Sequence, residues 1–238
     1  MSTKITEKMT INGANKDVVL DGIDFTGNGY VDVYGADSIT IKNCRVYGMN
    51  VSADKNYWLR IYNDIPVKLV LENCFFGGAH NGQGKMYNFI EPNAKLKNGS
   101  KICDNYFTDD CCTHNTVNIY GCDEDAIIQI SGNVFETSAG TVRVGVKGEP
   151  ACTIEMRNNV VLSNNVDYSE SDWGLLTIQP YGKQTTSFSN MKIVMSDNVI
   201  PCEQVGYYWL SANDMVITEG NKPTIIVDGK VVDFEIYS

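Results

Sequence analysis

Val70-Leu71-Glu72-Asn73-Cys74-Phe75 decides the fold, because its pattern returns along the whole chain. An apolar residue, two variable residues and an asparagine are followed by further apolar positions. Further copies are Thr40-Ile41-Lys42-Asn43-Cys44, Ile102-Cys103-Asp104-Asn105-Tyr106-Phe107 and Ile130-Ser131-Gly132-Asn133-Val134-Phe135. Met156-Arg157-Asn158-Asn159-Val160-Val161 and Met195-Ser196-Asp197-Asn198-Val199-Ile200 continue the series. Leu20 to Phe25 is a first copy without the asparagine, and Asn221 marks a last one. The asparagines recur at intervals of roughly 25 to 40 residues, the period of a solenoid.

A second strand precedes each copy: Tyr30–Tyr34, Trp58–Tyr62, Tyr87–Glu91, Val117–Tyr120, Val142–Val146, Leu175–Gln179 and Tyr207–Ser211. Pairs such as Val31/Val33, Leu59/Ile61 and Val117/Ile119 alternate with polar residues, the period of a strand with one buried face. Gly35, Asn63-Asp64, Pro92-Asn93, Gly121, Gly148, Gly182 and Asn213-Asp214 stand at the joints, where they accept or pre-set a turn. Strand, turn, strand and variable loop, repeated, stack into coils with parallel ladders. The expected fold is therefore all-β, a single-domain right-handed parallel β-helix of about seven coils. At about 4.8 Å per coil it stands on the order of 35 Å tall.

Stacked asparagines satisfy one another and the backbone of the bend. Asn43, Asn73, Asn105, Asn133, Asn159 and Asn198 are expected in equivalent bends, with Cys44 over Cys74 and with Phe75, Phe107 and Phe135 in one aromatic stack. The repeat organises the chain as an N-terminal segment over 1–17, a candidate attachment arm, a β-helix over 18–222 and a capping hairpin over 223–238, which turns at Asp228-Gly229.

Composition narrows the partners. A net charge of −10 opposes nucleic-acid binding, since a phosphate backbone is repelled. No apolar run reaches the length of a membrane span, and Met1 to Lys16 lacks the features of a secretory signal, so a cytoplasmic origin is expected. None of the eight cysteines forms a Cys-x-x-Cys pair, and buried reduced thiols are expected rather than a metal site.

The Asn-bearing strands, as in Leu71-Glu72-Asn73-Cys74-Phe75 and Ser131-Gly132-Asn133-Val134-Phe135, resemble coils of the pectate-lyase-like right-handed parallel β-helix superfamily over roughly residues 18–222. That superfamily includes polysaccharide lyases, glycoside hydrolases, phage tailspikes and head fibres, so the resemblance implies a fold and leaves the activity open. Its hydrolases imply paired Asp residues with Gly-His-Gly and Arg-x-Lys. This sequence has neither of those two motifs, and its lyase-type Asp-His and Arg-Pro motifs are also missing. The densest polar run is Thr108 to Asn115, which makes Asp109, Asp110 and His114 the candidate catalytic residues. Asp123-Glu124-Asp125 reads as a solvated turn.

Alternation along the preceding strands sends a second set outward: Asp32 and Tyr34, then Trp58, Arg60 and Tyr62, then Asn118 and Tyr120, then Arg143, Thr177 and Gln179, then Trp209. Tyr34, Trp58, Arg60, Tyr62, Asn118, Tyr120 and Trp209 are the candidate binding or interface residues, with a composition suited to a subunit contact or to sugar stacking. The expectation is a non-enzymatic virion structural protein, a phage head fibre or capsid decoration assembled in the host cytoplasm. It forms a homotrimer, touches a capsid or other virion protein and host-surface polysaccharide, and needs no cofactor. The alternatives are a polysaccharide lyase or glycoside hydrolase on the same scaffold, or a carbohydrate-binding adhesin.

Overall fold

The computed structural model describes residues 2–14, 16–50, 57–77, 86–108, 112–136, 140–144, 151–162, 176–178, 187–199, 208–210 and 222–232; for 86–89, 112–115, 140–141, 143–144, 176–178 and 208–210 it describes the backbone alone. These residues are all-β and build three long sheets of seven, eight and nine strands. Up to Lys192–Ser196 each sheet takes every third described strand, and the pairing is parallel until the last hairpin. The arrangement is compatible with a parallel β-helix.

The first sheet stacks Thr3–Ile5, Ile23–Gly27, Arg45–Met49, Phe75–Phe76, Tyr106–Phe107, Val134–Phe135 and Val160–Val161. The second stacks Met9–Asn12, Val31–Tyr34, Leu59–Tyr62, Met86–Asn93, Cys112–Ile119, Gly140–Val144, Leu176–Ile178 and Tyr208–Leu210. The third begins with Asp17–Asp21, Ser38–Lys42, Lys68–Glu72 and Lys101–Cys103 and continues through Ile127–Ser131, Thr153–Arg157, Lys192–Ser196 and Thr224–Val227. Lys230–Val231 then folds back antiparallel on Thr224–Val227, the hairpin expected at Asp228-Gly229. Thr3–Ile5 and Met9–Asn12 fall in the stretch read as an N-terminal arm, yet they pair in register with Ile23–Phe25 and Val31–Tyr34.

The strand–turn–strand unit is in fact three strands, because a left-handed residue splits each Asn-bearing segment in two. Gly22, Asn43, Asn73, Asp104, Gly132, Asn158 and Asp197 all have φ between 52° and 67°. Asn and Asp tolerate this region better than other side chains because they can bond locally, and Gly has no Cβ to clash. Gly132 has a further reason: a Cβ there would sit 2.2 Å from Asp104 Oδ1. The turn carries the chain from the third sheet to the first, and it recurs at the same place in successive repeats.

The next residue in each turn points inward and forms a ladder. Cys44, Cys74, Asn105, Asn133, Asn159 and Asn198 fill this position. From Cys74 on, each receives the backbone N–H of the rung before it, at 3.5 Å on Cys74 Sγ and at 3.0, 3.1, 3.2 and 3.0 Å on the four asparagine Oδ1 atoms in turn. The amide nitrogens of Asn105 and Asn133 donate both to the next Oδ1, at 3.0 and 2.9 Å, and back to the carbonyls of Leu71 and Ile102, at 3.1 and 2.8 Å. Asn159 repeats the pair of bonds at 2.9 and 2.9 Å. Cys74 Sγ lies 3.7 Å from the carbonyl of Ile41, so the thiol makes the shorter version of the same rung.

The expectation that all six asparagines are equivalent is therefore corrected. Asn105, Asn133, Asn159 and the half-buried Asn198 share the inward rung, whereas Asn43 and Asn73 sit one residue earlier, in the exposed left-handed position. There Asn73 donates to Asn43 at 2.7 Å and Asn43 to Asp21 at 2.8 Å. Cys44 and Cys74 stack as expected, and among the described residues Cys44, Cys74, Cys103, Cys122 and Cys152 are free and buried.

The aromatic stack is corrected by the same register. Phe76, not Phe75, stacks on Phe107 at 4.8 Å, and Phe107 stacks on Phe135 at 4.9 Å. Phe75 pairs with Tyr106 and faces outward. The remaining core is filled by columns such as Ile39, Leu69 and Ile128 from the third sheet and Val31, Leu59, Ile90 and Val117 from the second.

Removing a rung leaves buried partners unpaired, which costs about 1–3 kcal/mol for each unsatisfied group. Asn133→Ala is expected to lower the unfolding free energy by about 2–3 kcal/mol in urea titrations. At the left-handed position Asn73→Gly should be nearly neutral, while Asn73→Val should cost about 1–2 kcal/mol.

Candidate functional site

Residues at alternate positions follow one another in register along the second sheet. Thr10 pairs with Asp32, Asp32 with Arg60 and Arg60 with Glu91; Asn118 pairs with Arg143, Arg143 with Thr177 and Thr177 with Trp209. The neighbouring column runs Asn12, Tyr34, Tyr62 and Asn93. Five of the seven candidate interface residues thus lie on strands of this sheet, and Trp58 and Tyr120 directly adjoin its strands, but their surroundings differ.

Tyr34 and Tyr62 stack with ring centroids 4.8 Å apart and planes only 7° from parallel, and Tyr34 remains 41% exposed. The Arg60 guanidinium lies 4.0 Å over the Tyr57 ring and 5.9 Å from the Tyr62 ring centroid, and it donates to the Tyr62 hydroxyl at 2.9 Å. Lys8 closes one end of the patch on Asp32 at 2.5 Å. Opposite charges alternate along Lys8, Asp32, Arg60 and Glu91, which favours their stacking.

Glu91 is the buried centre of the cluster. Tyr120 donates its hydroxyl proton to Glu91 Oε1 at 2.8 Å, and the Tyr57 phenol lies near the same carboxylate. Burial first, and the Glu91 charge second, push the Tyr57 phenol above its ordinary value. Sequence reading missed both Tyr57 and Glu91. Glu91 was legible as an outward strand position, but nothing in its local sequence shows that two tyrosines from other repeats close over it.

Two expectations are corrected. Trp58 is fully buried, with Phe25 at 5.4 Å and Phe76 at 5.3 Å from its ring centroid. It precedes the strand Leu59–Tyr62 at the corner between sheets, so strand alternation does not govern its direction and its ring turns into the core. Asn118 lies between the buried Val117 and Ile119, as an outward residue should, yet it is only 1% exposed. Its amide has no hydrogen-bond partner among the described residues.

Asp109, Asp110 and Gln179 lie outside the described residues. His114 falls in the strand Cys112–Ile119, which places its backbone on the second sheet. Trp209, Thr177 and Arg143 are placed by register alone. Among the described residues, no three His, Cys, Asp or Glu side chains gather as a metal site, and no helix is long and apolar enough to cross a membrane.

No family model, curated protein or solved structure matches the chain.

The Trp58 ring belongs to the core, so Trp58→Ala should cost about 3–5 kcal/mol of stability by cavity formation, whereas Tyr34→Ala should change it by less than about 0.5 kcal/mol. Paired thermal melts check the contrast. Tyr30, buried beside the same corner, has its phenol pushed up to about 12 by burial. The unfolded chain releases that proton near pH 10, so this contribution to stability is whole below pH 10 and is lost as pH rises toward about 12. Tyr30→Phe should therefore flatten the alkaline limb of the melting temperature against pH.

Proposed function

We propose that the chain is a single right-handed parallel β-helix of about seven coils, closed at its C-terminal end by the hairpin and used as a non-enzymatic structural protein of a virion, a phage head fibre or capsid decoration. Parallel strands joined by crossovers within one sheet are right-handed in about 98% of cases, which supports the hand. The functional class is supported by the resemblance of the Asn-bearing coils to those of head fibres and tailspikes. An acidic surface, at a net charge of −10, fits a particle exterior better than a nucleic-acid partner.

The observation that carries the proposal is the Tyr57, Arg60, Tyr62 and Tyr34 patch on the second sheet. Its aromatic rings and guanidinium are already ordered by stacking on one another, so a partner that covers them meets a small entropy cost. Tyr and Arg, fixed and partly exposed, are the residue types that dominate protein–protein hot spots. Three copies about a common axis bury one such face per subunit and close the assembly without leaving an open-ended contact. The trimer then meets a capsid or other virion protein, and its outer corners are free to meet host-surface polysaccharide.

Light scattering at micromolar concentration tests the assembly, with an expected mass three times that of the single chain. Tyr62→Ala should weaken the trimer by about 2 kcal/mol while the far-ultraviolet spectrum is unchanged. A single-chain mass for the unaltered protein would remove the interface from this face.

A further inference from the structure

A cleft of about 360 Å³ opens at the corner where the second sheet turns into the third. Its walls come from two successive turns and one strand end: Asn63, Asp64 and Ile65 from one turn, Asn93 and Lys95 from the next, and Tyr120 beyond them. The volume is that of a small-ligand site, and its walls mix apolar and polar groups.

The walls are fixed before any ligand arrives. Asn63 is clamped to the coil above, donating to the Ala36 carbonyl at 2.5 Å and accepting the Ala36 N–H at 3.2 Å. Tyr120 is anchored through its hydroxyl to the buried Glu91, so its ring cannot swing away from the cleft without leaving that carboxylate. Ile65 is 47% exposed at the lip, an apolar side chain held in water. Asn93 and Lys95 are exposed beside it, and neither Asp64 nor Lys95 has a side-chain hydrogen bond or ion pair among the described residues. The cleft thus offers an aromatic ring and an aliphatic edge for a ring of C–H groups. A carboxylate, an amide and an ammonium stand ready to bond hydroxyls around that ring.

We propose that this corner cleft binds one neutral hexose ring, as a terminal or branch residue of a glycan. The assignment deepens the polysaccharide contact named in the functional proposal and rests on it, but it is independent of the trimer. Charge decides between neutral and acidic sugars. A single lysine stands at the site against the field of a chain carrying −10, so a uronate gains one contact and is repelled by the rest of the surface. A hydrophobic ligand is disfavoured because burying the Asp64 and Lys95 charges against it leaves them without water or a partner.

Saturation-transfer NMR on the full-length chain tests the proposal, using methyl β-glucoside, methyl α-galactoside and galacturonic acid as probes. Transfer to at least one neutral hexoside is expected, with a millimolar dissociation constant and weaker transfer to galacturonic acid. Asp64→Ala, at an exposed position, should weaken binding at least tenfold. Absence of transfer to both hexosides, stronger binding of galacturonic acid, or binding unchanged by Asp64→Ala would each overturn the site. Light scattering on the same sample separates this failure from that of the assembly, because a trimer that binds no hexose retains the structural reading and loses only the cleft.

Discussion

The asparagine ladder at the bend between the third and first sheets is the constraint on which the structure depends. Each asparagine rung uses both ends of its amide, so each repeat from Cys44 to Asn198 places an inward Asn or Cys directly over the next. The sequence separations between successive rungs from Cys74 to Asn198 are 31, 28, 26 and 39 residues. The ladder does not follow these changes in length, so the extra residues are taken up elsewhere in the coil. A polar column inside an apolar core is tolerable only when every member is satisfied, and here the carbonyls of Leu71, Ile102, Ile130 and Met156 complete the set.

Register fixed at one bend is inherited by every other column. Inside, it aligns Phe76, Phe107 and Phe135 into a continuous stack. Outside, it places Asp32, Arg60 and Glu91 in adjacent strands, so that charges of opposite sign follow one another, and it sets Tyr34 flat against Tyr62. On the first sheet the same alignment brings Asp24 beside Arg45, whose guanidinium bonds the carboxylate at 2.8 and 2.5 Å and, with help from Ser2, holds its pKa below the ordinary range. The outer surface is a consequence of the inner ladder, and the candidate binding patch owes its rigidity to it.

Much of this was legible in the sequence, and the failures have a common cause. The period, the second-sheet strands, the Cys44–Cys74 stack and the terminal hairpin all follow from local patterns. Which of two consecutive residues takes the bend does not. Asn43-Cys44 and Asp104-Asn105 are both plausible turns, and only the pairing of Arg45 with Phe75 and of Phe75 with Tyr106 shows that Cys44 and Asn105 share a rung. That one-residue ambiguity also exchanged Phe75 for Phe76. Trp58 was misread because strand alternation was extended one residue past the end of a strand, into a corner where chain direction, not period, orients the side chain. The Glu91 cluster brings together Glu91 and two tyrosines from the repeats on either side, a relation that no local pattern contains.

Hydrogen exchange at the rungs tests the ladder most directly. Two-dimensional NMR of the uniformly labelled protein would follow the backbone N–H groups of Asn105, Asn133 and Asn159 together with their side-chain amides. The ladder predicts that these exchange only with global unfolding, while the exposed side-chain amides of Asn43 and Asn73 exchange orders of magnitude faster. Equal, rapid exchange of all five side-chain amides would contradict a continuous buried column and the register built on it.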